Sequence, residues 1–395
     1  CLSWFCLSGI HAAPCPSSST SHRLCSCPWR KVCTRRPMPC PGPGPFRDGT
    51  KVDIAVVSIR GSRTLQSSPR QQANRSKPHQ VSRVMSEQPI FSNWGPDHTE
   101  AWGNAPLRIE HRLHQHPLYQ MDALADLIDR YPRAQYALVH MGAQKERRLW
   151  REGEIGSMSG HQVIDAIANG RMWLNLRNIG QVDKRYQDIL DQIFEEVRAN
   201  VPGYDTYART SGILISSPNA QVYYHMDLPG QSLWQIHGRK RVFLYPDKAP
   251  FLTFEELERI SLFEVEVDIP YEPWFDEHAK MFEISGGEML HWPLNAPHRV
   301  ENLDCLNVSM TTEYWTENIR RRQMISMANG ILRHKLGVKP RSVATTGPGF
   351  WAKAALQAGV RRSGLLKKER KARRPIEFRL DEKHPGQVID IGCAS

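Results

Sequence analysis

The sequence predicts an α+β chain in which helices flank a central all-β jelly roll or sandwich. Apolar residues recur at helical spacing before residue 200 and again after residue 316. Between these segments, short apolar runs are separated by Gly, Pro and Asn. Short strands at regular spacing between such turn residues are typical of a β-sandwich or jelly roll.

Composition divides the chain into three parts. Residues 1–84 are rich in Pro, Ser, Arg and Cys without periodicity, and we expect a disordered or non-native extension that ends before Met85. A metal- or redox-sensing arm is the alternative, although the cysteine spacings do not fit a zinc module. Residues 85–316 have globular texture and should form the main domain. Residues 317–395 should form a helical and basic tail.

Helical periodicity and turn residues define the elements on either side of the β region. Ser159 and Gly170 are expected at the start and end of one helix, because Ser favours the N-cap and Gly favours the C-terminus. The predicted elements are a helix at 122–130, a strand at 135–141, helices at 159–170, 182–200 and 317–336, and a strand at 388–391. The segment between 337 and 374 is predicted to be loose, since Gly347-Pro348-Gly349 is typical of a turn.

The β region contains eight predicted strands and one brief helix. The strands are expected at 212–216, 222–227, 232–237, 241–245, 279–284, 288–292, 298–302 and 306–312, and the helix at 255–260.

Charge and cysteine are both unevenly distributed. Residues 1–84 hold 13 Lys and Arg against two Asp, and residues 333–374 hold 13 against one Glu, which leaves −12 for the rest of a chain whose total is +11. An acidic body with basic ends does not predict nucleic-acid binding by the whole chain. Seven of the nine cysteines precede residue 41. The body therefore resembles a reduced, cytoplasmic protein, and no apolar run is long enough for a transmembrane helix.

The sharpest motif is YHMD at residues 224–227. Residues two apart on a strand point to the same face, so His225 and Asp227 can both face the interior and hold one metal ion. An imidazole and a carboxylate suit Fe(II), Mn(II) or Zn(II), and two His with one carboxylate form the facial triad of non-haem Fe(II) oxygenases. His298, which follows the sharp turn at 294–297, is the best candidate for the third ligand. Three other histidines are rivals: His237, His278 and His291.

Two longer stretches resemble the cupin-like Jumonji (JmjC) family. Residues 225–246 read HMDLPGQSLWQIHGRKRVFLYP, and residues 287–302 read GEMLHWPLNAPHRVEN. The family carries HxD, a strand ending in Gln-Ile-x-Gly-x-Lys-Arg, an apolar strand ending in Pro, and then Gly-Asp-x-Leu-x-x-Pro before the second metal His. The stretches are especially similar to the branch that contains the asparaginyl hydroxylase inhibiting hypoxia-inducible factor. On this resemblance the third ligand is His298.

The resemblance implies a double-stranded β-helix, the cupin jelly roll, with Fe(II) held by His225, Asp227 and His298. It also implies that Lys240 binds the distal carboxylate of 2-oxoglutarate. A cation is needed there because a buried, unpaired carboxylate is costly. The implied activity is that of a dioxygenase, which decarboxylates 2-oxoglutarate to succinate and oxidises a protein side chain or a small molecule.

The chain departs from the family at Val222, where a hydroxyl residue that helps to hold the cosubstrate is common. Three other residues offer a hydroxyl: Tyr223, Ser232 and Ser309. Asn307 and Ser309 alternate on a predicted strand, and we expect both to line the cosubstrate pocket.

Two further functions stay open. The first is a cupin-like metal-binding regulatory module whose basic run at 361–374 binds nucleic acid, although this run lacks the interleaved aromatics that stack on bases. The second is a cupin enzyme that does not use 2-oxoglutarate, and Lys240 is the residue that discriminates against it. Residues 317–336 are a candidate homodimer interface.

Overall fold

The computed structural model describes residues 88–141, 150–263, 269–365 and 375–391. The predicted extension at 1–84, Met85, and the densest part of the basic run at 367–374 lie outside the described residues.

Helices precede and follow a β region, as predicted. The α-helices are α1 (Pro96–Ala101), α2 (Met121–Asp129), α3 (Gly160–Asn169), α4 (Ile179–Val182), α5 (Lys184–Asn200), α6 (Phe254–Phe263), α7 (Glu317–Leu336) and α8 (Gly347–Ser363). The strands are β1 (Leu107–Glu110), β2 (Tyr136–Met141), β3 (Trp150–Glu154), β4 (Met172–Arg177), β5 (Tyr207–Ser216), β6 (Gln221–His225), β7 (Gly230–His237), β8 (Arg239–Leu244), β9 (Lys280–Ser285), β10 (Glu288–His291), β11 (His298–Asn302), β12 (Asn307–Trp315), β13 (Ile376–Leu380) and β14 (Val388–Asp390).

The strands form two sheets. The larger has ten strands in the order β1-β10-β7-β12-β5-β4-β2-β3-β13-β14, and the smaller has four in the order β6-β11-β8-β9. Neighbouring strands run antiparallel except for β3 and β13, which are parallel.

Apolar side chains from the two sheets pack against each other. Leu214, Leu233 and Leu290 of the large sheet belong to the same buried cluster as Val242 and Val300 of the small sheet. This shared face holds the sheets together, because its burial removes apolar surface of both sheets from water. The arrangement is a mostly antiparallel sandwich, in agreement with the predicted class.

The other face of the large sheet is covered by the N-terminal helices. Leu127 of α2, Val163 of α3 and Ile193 of α5 share one core with Ile213 and Met310 of the sheet. Helix α3 begins as predicted. Its N-cap is Ser159, whose side chain accepts from the Gln162 backbone N–H while the Gln162 side chain accepts from Ser159 N–H.

The C-terminal helices pack onto α6. Met327 and Ile331 of α7 contact Leu262, and Ile325 of α7 packs with Phe350 of α8. Among the described helices, none is long and apolar enough to cross a membrane.

The predicted helix at 182–200 is confirmed as α5, which begins two residues later because Asp183 caps it by accepting from Arg185 N–H at 3.0 Å. Two other expectations about elements were wrong. Residues 347–363 form helix α8 rather than a loose segment, because Pro348 occupies the first turn, where its missing N–H costs nothing. Strand β6 ends at His225, so Asp227 does not lie on a strand.

Candidate metal centre

Three buried side chains converge where β6 and β11 pair. His225 and His298 lie opposite each other in the ladder, and their ring centroids are 4.1 Å apart. Asp227, two residues past the end of β6, places Oδ2 3.2 Å from His298 Nε2. One ligand atom from each of the three residues lies within 4.8 Å of the others. The sequence-predicted triad is therefore brought together, although the parity argument for Asp227 was wrong.

Backbone carbonyls orient both imidazoles. Nδ1 of His225 lies 2.7 Å from the Tyr223 carbonyl, and Nδ1 of His298 lies 3.0 Å from the Ala296 carbonyl. A carbonyl only accepts, so each Nδ1 is the donor and each Nε2 keeps its lone pair. Nε2 of His225 is buried without a hydrogen-bond partner. An orphaned buried nitrogen is costly, and a metal ion would satisfy it.

The electrostatics favour the ligand forms of these groups. Burial, together with the neighbouring His298, lowers the pKa of His225 to about 3, so His225 is neutral at ordinary pH. Burial alone would raise the pKa of Asp227, but His298 and His225 more than offset this effect and the net direction is downward. A neutral imidazole beside a carboxylate is what a divalent metal ion requires.

The rival histidine His291 is already satisfied. Its Nδ1 lies 2.8 Å from the Gln231 carbonyl and 3.0 Å from Ser232 Oγ, and its Nε2 accepts from Gly103 N–H at 3.2 Å. The ring also stacks on Trp102. His291 is therefore a buried core residue and does not join the cluster. The other two rivals are exposed and also lie outside it: His237 and His278.

A cavity lies beside His225. Its lining residues are Trp173, Leu214, Ser216, Ala220, Gln221, Val222, His225, Leu233, Lys240, Val300, Asn302 and Thr311. Lys240 is only 1% exposed. The cavity thus joins the histidine with the orphaned nitrogen to the buried lysine that the sequence singled out.

No described carboxylate pairs with the ammonium of Lys240, and the ionisable side chain that acts on it is the Cys305 thiol. Among the described residues, none forms a hydrogen bond or ion pair with it. Burial lowers the pKa of Lys240 to about 7. A carboxylate entering the cavity would restore the charged form and offset its desolvation.

Asn307 and Ser309 are buried but do not line the cavity. Asn307 Oδ1 accepts from Gln235 Nε2 at 2.7 Å, and Ser309 Oγ donates to Gln235 Oε1 at 2.8 Å. Their polar atoms are committed to this network between β7 and β12, so the expectation that they line the pocket is not met.

Sequence reasoning missed Thr311, which does line the cavity. Thr311 lies two residues beyond Ser309 on β12 and therefore shares its face, and this parity is the signal that could have found it. Two other polar side chains of the lining are bonded to each other, since Asn302 Nδ2 donates to Ser216 Oγ at 2.8 Å. Ser232 is excluded as the missing hydroxyl by its contact with His291.

No protein-family model matches the chain, and no curated protein matches it. Solved structures of Escherichia coli YcfD resemble it. An X-ray structure of YcfD is 17% identical with a TM-score of 0.42, covering 69% of this chain and 68% of that one. YcfD described as a ribosomal oxygenase in complex with cobalt and 2-oxoglutarate is 18% identical with a TM-score of 0.41, covering 73% and 74%. A complex with cobalt and succinic acid has 16% identity, a TM-score of 0.41 and the same coverage. At these values the likeness bears on neither the activity nor the ligands of the present chain.

Proposed function

We propose that this chain is an Fe(II)- and 2-oxoglutarate-dependent oxygenase with a cupin-like, JmjC-type double-stranded β-helix. The observation that carries the proposal is the cavity that His225 and Lys240 both line. His225 brings a buried nitrogen without a hydrogen-bond partner, and Lys240 brings a buried ammonium without a described carboxylate. A molecule with a metal-binding group and a distant carboxylate fits both requirements, and 2-oxoglutarate has this chemistry.

His225, Asp227 and His298 would hold the metal ion. Two His and one carboxylate are the donor set of non-haem Fe(II) oxygenases, and these three residues supply it. When bound, Fe(II) would supply the site at which dioxygen, the oxidant, oxidises 2-oxoglutarate to succinate and carbon dioxide and also oxidises the substrate. The carbonyls of Tyr223 and Ala296 keep the imidazoles in the tautomer that presents Nε2.

Lys240 and Thr311 would hold the distal carboxylate of 2-oxoglutarate. The ammonium supplies the charge, and the Thr311 hydroxyl replaces the one that Val222 lacks. The apolar lining, which includes Leu214, Leu233 and other members of the inter-sheet core, excludes water and strengthens this ion pair.

We propose a protein side chain or a small molecule as the substrate. The description as a ribosomal oxygenase belongs to YcfD. The finer similarity to the asparaginyl hydroxylase branch rests on the sequence alone.

The test is succinate release from 2-oxoglutarate, measured with and without Fe(II). We expect wild-type protein to release succinate only with the metal, and His225→Ala to lose at least about 100-fold. His237→Ala is the matched control, since it removes an exposed histidine from β7 and should leave the rate unchanged. Equal rates for wild type and His225→Ala would refute the proposal. If Lys240→Ala leaves cosubstrate binding intact, a cupin enzyme that does not use 2-oxoglutarate becomes the better explanation.

A further inference from the structure

The two histidine ligands and the carboxylate ligand are held in different ways. His225 and His298 are paired residues of the β6–β11 ladder. Asp227 lies beyond the last residue of β6 and outside any strand. Its position must therefore be fixed by contacts other than the sheet.

One such contact comes from the turn between β10 and β11. Asn295 Nδ2 donates to the main-chain carbonyl of Asp227 at 2.7 Å. In the same turn, Ala296 supplies the carbonyl that accepts from His298 Nδ1. A single turn thus contacts the backbone of one ligand and the ring of another.

The turn itself is tightly built. Ala296 N–H donates to the Pro293 carbonyl at 3.2 Å, and Asn295 has a φ of 63°. Asn and Gly are favoured at such a position, because a left-handed backbone is costly for other residues. Turn chemistry alone would accept Gly here, whereas the bond to Asp227 requires the Asn amide.

We propose that Asn295 is a positioning residue for the carboxylate ligand, fixing the backbone of Asp227 so that its side chain meets the metal ion together with His298. The inference rests on the proposed metal site. Outer contacts that orient metal ligands typically change metal affinity by roughly 10- to 100-fold.

The chain offers a matched control in Asn219. It occupies the corresponding position of the turn between β5 and β6, with a φ of 57° and an Ala220 N–H donating to the Ser217 carbonyl at 3.2 Å. Its side-chain amide donates to exposed Asp304 at 3.1 Å. Asn219 precedes the first residue of β6, whereas His225 is the last residue of that strand. Replacing either Asn by Gly keeps the turn and adds the same chain entropy to the unfolded state.

The experiment is a titration of the full metal-free chain with Co(II), followed by visible d–d absorption, for wild type, Asn295→Gly and Asn219→Gly. We expect Asn295→Gly to weaken Co(II) binding roughly 10- to 100-fold and to alter the spectrum at saturation. Asn219→Gly should bind within about twofold of wild type. Thermal midpoints of the metal-free variants should fall by similar amounts, because each variant loses one hydrogen bond donated by a side-chain amide.

A second variant covers the case in which Asn295→Gly does not fold. Asn295→Asp keeps the size and tolerates the positive φ, but it replaces the donor by an oxygen that repels the Asp227 carbonyl. Its affinity for Co(II) should fall at least as much. Affinity of the Asn295 variants within about twofold of wild type would overturn the positioning role. Absence of Co(II) binding by wild type would instead overturn the metal site itself, so the two failures are distinguishable.

Discussion

Lys240 shows how one residue can be costly for folding and useful for a site. Its ammonium is buried in the cavity without a described anionic partner. Burying a charge in this way lowers stability, and the loss is offset only when an anion binds. A residue of this kind is typical of functional sites, where pKa values are strongly perturbed.

Replacing Lys240 by Met should separate stability from binding. Met has similar length without the charge, so the free energy of unfolding of the metal-free protein should rise by about 1 kcal/mol or stay unchanged. Binding of 2-oxoglutarate, measured by calorimetry on Co(II)-loaded protein, should fall at least about 100-fold. Lys280→Met is the control for binding: Lys280 is exposed on β9, with its ammonium over the Phe282 ring, and its replacement should leave the affinity for 2-oxoglutarate unchanged. Undiminished binding by Lys240→Met would contradict the assigned role.

The affinity for 2-oxoglutarate should also depend on pH. The pKa of Lys240 is lowered to about 7, and only its protonated form attracts the carboxylate. Binding should therefore be strongest below pH 7 and weaken by about tenfold for each pH unit above it. His225, with a pKa of about 3, stays neutral throughout this pH range and does not contribute to the trend. The measurement is the dissociation constant from about pH 6.5 to about pH 8.5, and Lys240→Met should abolish the trend.

At the scale of elements, Gly238 forms the one-residue connection from β7 of the large sheet to β8 of the small sheet, two residues before Lys240. Gly238 joins these strands with a φ of 78°, and a Cβ there would lie 2.3 Å from the Leu306 carbonyl. A side chain at this position would be strained and would also push against backbone. The connection between the two sheets therefore depends on glycine for two independent reasons.

Gly238→Ala should be clearly more destabilising than Gly203→Ala. Gly203 has a similar φ of 80° but nothing within 4 Å of an added Cβ, so its replacement costs only the left-handed strain of about 1 kcal/mol. Gly238→Ala should cost at least about 2 kcal/mol. Urea unfolding of both variants measures the difference, and equal losses would contradict the contact with Leu306.

Some elements could be predicted from sequence and others could not. The limits of α3 were readable because Ser159 and Gly170 mark its ends. Strand β4 was missed because its burial is nearly continuous, and a short apolar run carries no strand period. Asp227 was assigned to the correct cluster for a wrong reason, since its position depends on a turn distant in sequence. The contact of Asn295 with Asp227 could not be foreseen from local patterns.

At the scale of the whole molecule, the sheets bring together residues from distant segments. The cavity combines Trp173 of β4, Lys240 of β8 and Thr311 of β12. The alternation that predicted Asn307 and Ser309 includes Thr311 as well, and the assembled sheets show which of the three lines the cavity. Family resemblance supplied Lys240 and selected His298, whereas the register of β12 was needed for the rest.

The homodimer through residues 317–336 and nucleic-acid binding by residues 361–374 stay predictions. The described part of α7 buries Ile325, Met327 and Ile331 within the chain, so a homodimer through residues 317–336 would use the opposite side of this helix. Nucleic-acid binding by 361–374 would decline steeply with salt, as phosphate contacts do.

The most direct test of the central claim is anaerobic addition of 2-oxoglutarate to the Fe(II)-loaded chain, followed by visible absorption. A metal-to-ligand charge-transfer band should appear with wild type, and Lys240→Met should need at least about 100-fold more cosubstrate to reach it. Protein that binds Fe(II) but shows no band at saturating 2-oxoglutarate would contradict the assignment of the cavity.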